Sequence, residues 1–376
     1  MNATVAKLRE RIGEIDDLDR TASLLGWDQQ VKMPPGGAGV RAEQLATLER
    51  LAHEALTSDA MGRLLEELAP LEDSLEYHSD DASLIRLVRR DWEKARRVPA
   101  DLRAEMTRAA SLAMPVWVQA RQESDFSQFL PALRRNFELR RRYVECFDDY
   151  DEPYDVLLDD FEPGMKTAEV RAVFDRLKEE QVPFVAAVRQ EGERPARGVT
   201  FPLEGQQAFE RKVIERFGFH PSEWRLDTAV HPFASSIAIG DIRLTTRYFD
   251  DNLDGLFGTM HETGHGLYEH GVARELERTP LARGASLGFH ESQSRMWENM
   301  VGRSLPFWRH FFPQLQATFP DALAGVSLDD WYRSVNWVAP SLVRVEADEA
   351  TYNLHIILRF ELEQELLAGS VDLEEL

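Results

Sequence analysis

Apolar residues recur at intervals of three and four through much of the first half of the chain, which is the period of an amphipathic helix. The first stripe is Val5, Leu8, Ile12, Ile15 and Leu18, and it stops before a Met-Pro-Pro-Gly-Gly segment. Pro and Gly end helices, so this segment marks a turn. The same pattern predicts further helices over these approximate ranges: 39–57, 80–96, 101–122, 127–147, 167–192 and 205–217.

The pattern changes between Ser235 and Tyr248, where β-branched residues cluster and partly alternate with small or polar ones. We expect one or two short strands there, in a hairpin around Gly240. Helical periodicity then returns over 253–269, 290–303, 328–336 and 341–368. The pattern therefore predicts a mainly α fold, with a small β-sheet placed just before the helix at 253–269.

Domain organisation follows from the absence of a low-complexity linker or an internal repeat in the sequence. We predict a single large helical domain over residues 1–376. Its N-terminal helical part covers about 1–150, and the part that carries the chemistry described below covers about 200–376.

Charge narrows the range of partners. The 376 residues include 44 Lys plus Arg against 66 Asp plus Glu, a formal net charge of −22. Such a balance repels phosphate backbones and anionic membranes, so we expect neither nucleic acid nor a membrane as a partner. The N-terminus lacks the apolar core of a secretory signal, and the lone Cys146 suits a reducing compartment. We expect a cytoplasmic protein.

The most informative motif is His-Glu-Thr-Gly-His at 261–265. On a helix, His261 and His265 project from one face and can bind one ion, for which Zn²⁺ is the expected metal and Co²⁺ or Mn²⁺ possible substitutes. Glu262 then occupies the position of the general base that activates water. A chance match on a surface helix is the alternative, but the flanking apolar residues Leu256 and Phe257 indicate a packed helix.

A catalytic zinc ion generally has three protein ligands. Gly271 stands where a metzincin would carry its third His, which disfavours that class. The remaining candidates are Glu291, the adjacent His290, and Glu298, and spacing alone does not choose among them. Glu269, one turn after His265, could orient an imidazole, although a solvated helix position is the interpretation we favour.

Four further elements occur in order around the motif, and together with it they resemble the carboxypeptidase Taq family of HExxH zinc metallocarboxypeptidases. The elements are His231-Pro232-Phe233, Asp241-Ile242-Arg243-Leu244-Thr245, His290-Glu291-Ser292-Gln293, and Arg344 to Asp348, which has Val343 where the family pattern has Ile.

This resemblance implies a mostly helical domain with a deep active-site groove, of the zincin-like architecture of neurolysin and angiotensin-converting enzyme. It also implies a homodimer that removes C-terminal amino acids from peptides with broad specificity. Glu291 becomes the expected third metal ligand, together with His261 and His265. An endo-acting zinc oligopeptidase is the first alternative.

A carboxypeptidase must recognise a free carboxylate, which favours Arg. Arg243 and Arg344 are the candidates. Each could instead form an ion pair within the fold, because acidic residues lie close by in the sequence. His231 is expected to line the site, although a packing role is as plausible. We also expect the stretch from Ile237 to Thr245 to pair with the main chain of a bound peptide.

The sequence departs from the family pattern at its end. Members of the family carry a Gly-x-x-Gln-Asp-x-His-Trp element in a C-terminal segment, and nothing similar occurs in these 376 residues. Donors from that segment would stabilise the oxyanion, and loss of one such donor typically slows a reaction about 100- to 1000-fold. The second alternative is therefore a truncated metal-binding form with little or no activity.

Overall fold

In the computed structural model of the chain, residues 2–192, 194, 195 and 198–375 are described, and most of them are helical. Serine and aspartate side chains begin several helices: Ser58, Ser79 and Asp125 each accept a hydrogen bond from a main-chain N–H of the first turn. The helices before the sheet are α1 (Ala3–Val31), α2 (Ala38–Leu56), α3 (Asp59–Ser74), α4 (Asp80–Ala95), α5 (Ala100–Glu123), α6 (Phe126–Val144), α7 (Pro153–Asp159), α8 (Thr167–Val188) and α9 (Leu203–Phe217).

A three-stranded sheet follows α9. Its strands are β1 (Trp224–Thr228), β2 (Ala234–Ala238) and β3 (Asp241–Thr246), in the order β1-β3-β2. Strand β1 runs parallel to β3, and β2 forms the predicted antiparallel hairpin with it. Among these strands, β1 was missed, although Trp224, Arg225, Leu226 and Asp227 alternate apolar and charged side chains as a short strand does.

The helices after the sheet carry the metal motif and the elements around it. They are α10 (Asp254–His270), α11 (Leu287–Arg295), α12 (Leu305–Thr318), α13 (Leu328–Val335) and α14 (Tyr352–Ala368), and a π-helical segment, Met296–Val301, continues α11.

One predicted helix is wrong, and two helices of the structure were not predicted. A single helix over 341–368 is wrong, because α14 begins only at Tyr352. The Asp348 carboxylate accepts hydrogen bonds from the main-chain N–H groups of Ala339, Ala350 and Thr351, which satisfies a loop instead of a helical turn. Helices α3 and α12 were not predicted, although buried residues recur in both at helical spacing.

Two of the hydrophobic clusters show how the halves of the chain are built. One joins α1, α3 and α4, and the other surrounds α10 with aromatic residues of α12 and α13. The halves also contact each other: Arg20 of α1 donates to the Ser236 carbonyl of β2, and Arg278 binds the Asp17 carboxylate with two nitrogens.

The predicted mainly α fold with a small sheet beside the motif helix is confirmed. Within the described ranges, none of the helices combines the length and apolar composition that a bilayer span requires.

Candidate metal centre

Helix α10 is held between the sheet and α11 by two glycines that frame His265. A Cβ at Gly264 would lie 2.6 Å from the Ser294 Cα and 2.8 Å from the Gln293 carbonyl oxygen of α11. A Cβ at Gly266 would overlap the ring of Trp224 on β1. Because no side chain larger than hydrogen fits at either position, α10 packs closely against both neighbours. This packing brings the motif next to Glu291.

The structure brings His261, His265 and Glu291 together. The Oε2 atom of Glu291 lies 3.6 Å from Nε2 of His261 and 3.3 Å from Nε2 of His265. One ligand atom from each residue lies within 4.8 Å of the others. Donors that each lie about 2 Å from a common ion are separated by up to about 4 Å, a range that both distances from Glu291 satisfy. Two imidazole nitrogens and one carboxylate oxygen in this arrangement fit a divalent metal ion.

The two other candidates for third ligand lie behind the imidazoles. Oε2 of Glu298 is 2.8 Å from Nδ1 of His261, the ring nitrogen that faces away from Glu291. Nδ1 of His290 is likewise 2.5 Å from Nδ1 of His265. Each imidazole therefore has a partner on its Nδ1 side and the Glu291 carboxylate on its Nε2 side. Glu298 reaches His261 from the π-helical segment Met296–Val301.

Arg295 links the two carboxylates of this centre. Its Nε donates to Oε1 of Glu291 at 3.1 Å, and its Nη1 donates to Oε2 of Glu298 at 2.9 Å. Its guanidinium stacks 3.5 Å from the ring centre of Tyr352 on α14. Burial alone would raise the pKa of Glu291, but the adjacent His265 side chain and the charges of His261 and Arg295 lower it to about 2. Glu291 is therefore an ionised carboxylate.

Glu262 lies beside these groups in a different environment. The residue is only 6% exposed, yet it lines the cavity in front of the two imidazoles. Burial raises the pKa of its carboxyl group to about 7; the charge of His261 opposes that rise, and the charges of Glu291 and Glu298 add to it. A carboxyl group whose pKa lies near neutrality is suited to exchange protons with a water or an amine.

The cavity in front of the centre measures about 560 Å³. His231 and Arg344, two of the residues predicted to bind substrate, both line it. The His231 ring meets the edge of Trp117, and burial together with nearby arginines lowers its pKa. Arg344 donates from Nη1 to the Tyr352 hydroxyl at 2.5 Å.

The structure places Arg243 elsewhere. This arginine lies outside the described lining of the cavity, where its Nε and Nη2 atoms bind both carboxylate oxygens of Asp241. Its guanidinium stacks on Trp27 of α1 at 4.5 Å, and its side chain is 15% exposed. The structure therefore does not bring Arg243 together with the three metal-binding candidates.

Sequence reasoning missed two members of the site. Arg295 follows Glu291 by four residues, and this spacing of opposite charges on a helix was an available signal. Tyr352, which contacts both Arg295 and Arg344, had no such signal because it lies on a distant helix.

Comparison with known proteins decides the class. Residues 7–376 match the carboxypeptidase Taq (M32) metallopeptidase family. The chain belongs to this family. It is 42% identical to thermostable carboxypeptidase 1 of Thermus thermophilus, a match that covers 94% of this chain and 72% of that protein. It is 36% identical to carboxypeptidase 1 of Bacillus subtilis, over 96% of this chain and 73% of the relative.

Solved structures agree with the sequence relatives. The M32 carboxypeptidase from Deinococcus radiodurans superposes with a TM-score of 0.87 at 38% identity, over 98% of this chain and 74% of that one. Family membership confirms the resemblance found in the sequence and the predicted class, a metallocarboxypeptidase. It also implies a divalent metal. The comparisons do not favour the endo-acting or the inactive alternative.

Proposed function

We propose that this chain is a zinc carboxypeptidase in which His261, His265 and Glu291 hold the ion and Glu262 is the general base. The observation that carries the proposal is the convergence of three ligand atoms within 4.8 Å on the wall of the cavity. Two imidazoles and a carboxylate are a typical donor set of catalytic zinc, which keeps a further position open. Co²⁺ or Mn²⁺ would be tolerated as substitutes, since both accept nitrogen and oxygen ligands.

The chemistry divides between the ion and the chain. A bound zinc ion supplies a Lewis acid and an activated water. Glu262 takes the proton from the attacking water and delivers it to the departing amine, so one carboxyl group serves as base and then as acid. Its position inside the cavity, with a pKa of about 7, supports both roles. This route involves no covalent link between peptide and protein.

For the free carboxylate of the peptide we propose Arg344. It lines the cavity, and its hydrogen bond to the Tyr352 hydroxyl uses only Nη1 of a guanidinium with five N–H donors. His231, uncharged through its lowered pKa, would line the same subsite. Substrate binding by Arg243 stays a prediction. Both nitrogens of one edge of its guanidinium already bind Asp241, which makes Arg344 the better candidate.

The main chain of the peptide has a candidate partner in β2. This strand lies at the edge of the sheet, whereas β3 is paired on both sides. We therefore move the proposed pairing segment from Ile237–Thr245 to Ala234 on β2, outside the stretch predicted from the sequence. Ala234 lines the cavity, and Phe233 is bonded to Thr245 of β3. Because alternate residues of an antiparallel strand face opposite edges, the N–H and C=O of Ala234 point away from β3. We propose that the peptide adds to this edge.

One assay tests the proposal as a whole. The zinc-loaded chain is incubated with a peptide and with its C-amidated form, and the products are read by mass spectrometry. We expect stepwise loss of single residues from the free peptide and none from the amidated one. Internal cleavage of both peptides would contradict exopeptidase action.

The ligand assignment is tested separately by Glu291→Ala. Zinc stoichiometry should fall well below one per chain in the purified variant, because an ion held by two imidazoles alone is bound weakly. Glu223→Ala, on a carboxylate outside the cavity lining, is the control and should retain one zinc. Full zinc binding by Glu291→Ala would remove Glu291 from the ligand set.

We further infer a cytoplasmic homodimer whose residues 1–376 form one domain. The lone cysteine supports the compartment, the family resemblance supports the dimer, and contacts such as Arg278 with Asp17 support one unit. Sedimentation equilibrium measures the oligomeric state, and a mass of 43.1 kDa at micromolar concentration would contradict the dimer.

A further inference from the structure

Behind His265 lies a chain of two side chains that the proposed reaction does not use. Nδ1 of His265 is 2.5 Å from Nδ1 of His290, and Nε2 of His290 is 2.8 Å from Oε1 of Glu269. Glu269 follows His265 by one turn of α10, while His290 belongs to α11. The side chains of His265, His290 and Glu269 are 13%, 18% and 17% exposed, respectively. Glu269 is thus not the solvated helix residue favoured from the sequence.

The order of donors and acceptors along this chain fixes where the protons lie. An ionised carboxylate only accepts hydrogen bonds, so Nε2 of His290 must carry the proton that it shares with Glu269. In a neutral imidazole the other nitrogen is then an acceptor, so Nδ1 of His290 accepts. The bond between the two rings therefore requires Nδ1 of His265 to donate. Nε2 of His265 is left with a lone pair directed towards the metal-binding position.

The environment of His290 keeps its ring in this orientation. The Tyr268 ring packs edge-on against it, with ring centres 5.1 Å apart. A Cβ at Gly284 would lie 2.7 Å from Cδ2 of His290, so the chain at Gly284 closes the other approach. The ring has little room to flip, and a flip would break the contacts of both its nitrogens.

We propose that Glu269 and His290 are positioning residues that set the tautomer of His265 and so prepare its Nε2 to bind the metal. The inference rests on the proposed function. Glu298 contacts Nδ1 of His261 directly, whereas Glu269 reaches His265 only through the second ring. Without Glu269 and His290, the Glu291 carboxylate 3.3 Å from Nε2 of His265 would favour a proton on that nitrogen, where the proton competes with the metal. Partners of this kind typically change metal affinity about 10- to 100-fold.

The test compares Glu269→Ala with Glu269→Gln. Zinc affinity of the metal-free protein is measured by competition with a chromophoric chelator at fixed pH, with circular dichroism as a check on folding. We expect Glu269→Ala to bind zinc about 10- to 100-fold more weakly. Glu269→Gln should recover most of the loss, because its amide oxygen still accepts from Nε2 of His290.

The matched control is Glu223→Ala. Glu223 accepts from Nε2 of His270 at 2.6 Å, a comparable bond to the neighbouring position of the same helix but outside the cavity lining. Its zinc affinity should stay within about twofold of that of the parent chain. Equal weakening in Glu223→Ala and Glu269→Ala would show a general effect on α10 and overturn the proposal. Unchanged affinity in Glu269→Ala, or no recovery in Glu269→Gln, would also overturn it.

A second measurement reads the tautomer itself. Imidazole ¹⁵N spectra of the metal-free chain should show His265 protonated at Nδ1, and in Glu269→Ala the proton should move to Nε2. His265 protonated at Nε2 in the parent chain would contradict the assignment directly. If the parent chain binds zinc and hydrolyses peptides while Glu269→Ala binds zinc equally well, only this inference fails. If the parent chain binds no zinc, the proposed function fails first.

Discussion

Two buried glutamates, one on helix α10 and one packed beside it, invite comparison, because burial raises the pKa of each carboxyl group to about 7. Glu262 lies on α10 itself and lines the cavity. Glu210 lies on α9 and is 2% exposed, outside the described cavity lining. The hydroxyls of Thr259 and Tyr248 donate to it at 2.6 and 2.5 Å.

The difference lies in what each carboxyl group can reach. Glu210 is enclosed by hydroxyl donors that belong to the fold, so its raised pKa affects only stability. Glu262 faces space that a substrate can enter, among the charges of His261, Glu291 and Glu298. A perturbed pKa is therefore a sign of burial, and the neighbouring geometry decides whether it serves chemistry.

The sharpest way to break this comparison is to remove each charge in turn. Glu262→Gln should keep its zinc but lose peptide hydrolysis by roughly 100- to 10,000-fold, the usual contribution of a general base. Glu210→Gln should stay within a few-fold of the parent chain, since its carboxyl group contacts no substrate. Turnover of a C-terminally free peptide and zinc content are measured on both. Undiminished hydrolysis by Glu262→Gln would refute its role.

The motif around Glu262 could be identified from the sequence, whereas the enclosure of Glu210 could not. His261, Glu262 and His265 lie within one helical turn, so their spacing alone places them on a common site. Glu291 lies 26 residues beyond His265, and only the family resemblance singled it out from His290 and Glu298. The roles of those two residues depend on how α11 packs on α10, and helical periodicity contains no information about that packing.

The fold shows the same division between local and long-range information. The hairpin of β2 and β3 was predicted because its strands adjoin and its β-branched residues cluster. Strand β1 pairs with β3 in parallel, and such a pairing depends on contacts distant in sequence. Glu210 was not noticed at all, because a Glu on an amphipathic helix normally faces solvent and the hydroxyls that enclose it come from β3, α10 and the loop between them.

A second prediction concerns stability and pH. The folded pKa of Glu210, about 7, lies above its ordinary value of 4.5, so the folded state holds a proton that the unfolded chain releases. The contribution of Glu210 is therefore fully favourable below pH 4.5 and is lost as the pH rises through 7. The shift corresponds to about 3 kcal/mol. In Glu210→Gln the part of the loss due to Glu210 should disappear while the similar contribution of Glu262 remains, so urea unfolding of the metal-free chains at pH 5 and 8 should show a smaller loss than in the parent chain. An equal loss in both chains would contradict the assignment.

A smaller effect tests the packing that brings α10, with Glu262, next to Glu291 of α11. Gly264→Ala would force α10 away from main-chain atoms of α11, at a cost of about 1 to 3 kcal/mol in unfolding free energy. It should also weaken zinc binding, because Glu291 lies on α11. Gly258→Ala is the control on the same helix, since its Cβ would only touch Pro232 at 3.9 Å, and it should be neutral or stabilising. Equal losses of stability in the two variants would show that the contact with α11 is not the reason why Gly264 is needed.

The smallest effect separates the hydroxyls around Glu210 from its burial. Tyr248→Phe removes one donor, so the ionised carboxylate loses a charge-assisted hydrogen bond while the protonated form loses a weaker one. We expect the variant to be destabilised by about 1 kcal/mol more at pH 8 than at pH 5. Tyr154→Phe is the matched control, because Tyr154 donates at 2.6 Å to Glu363, whose side chain is 38% exposed. Water can replace that donor, so its loss should be small and equal at both pH values. If both variants respond equally to pH, the enclosure of Glu210 is not what distinguishes it, and its contrast with Glu262 would then have to rest on access to the cavity alone.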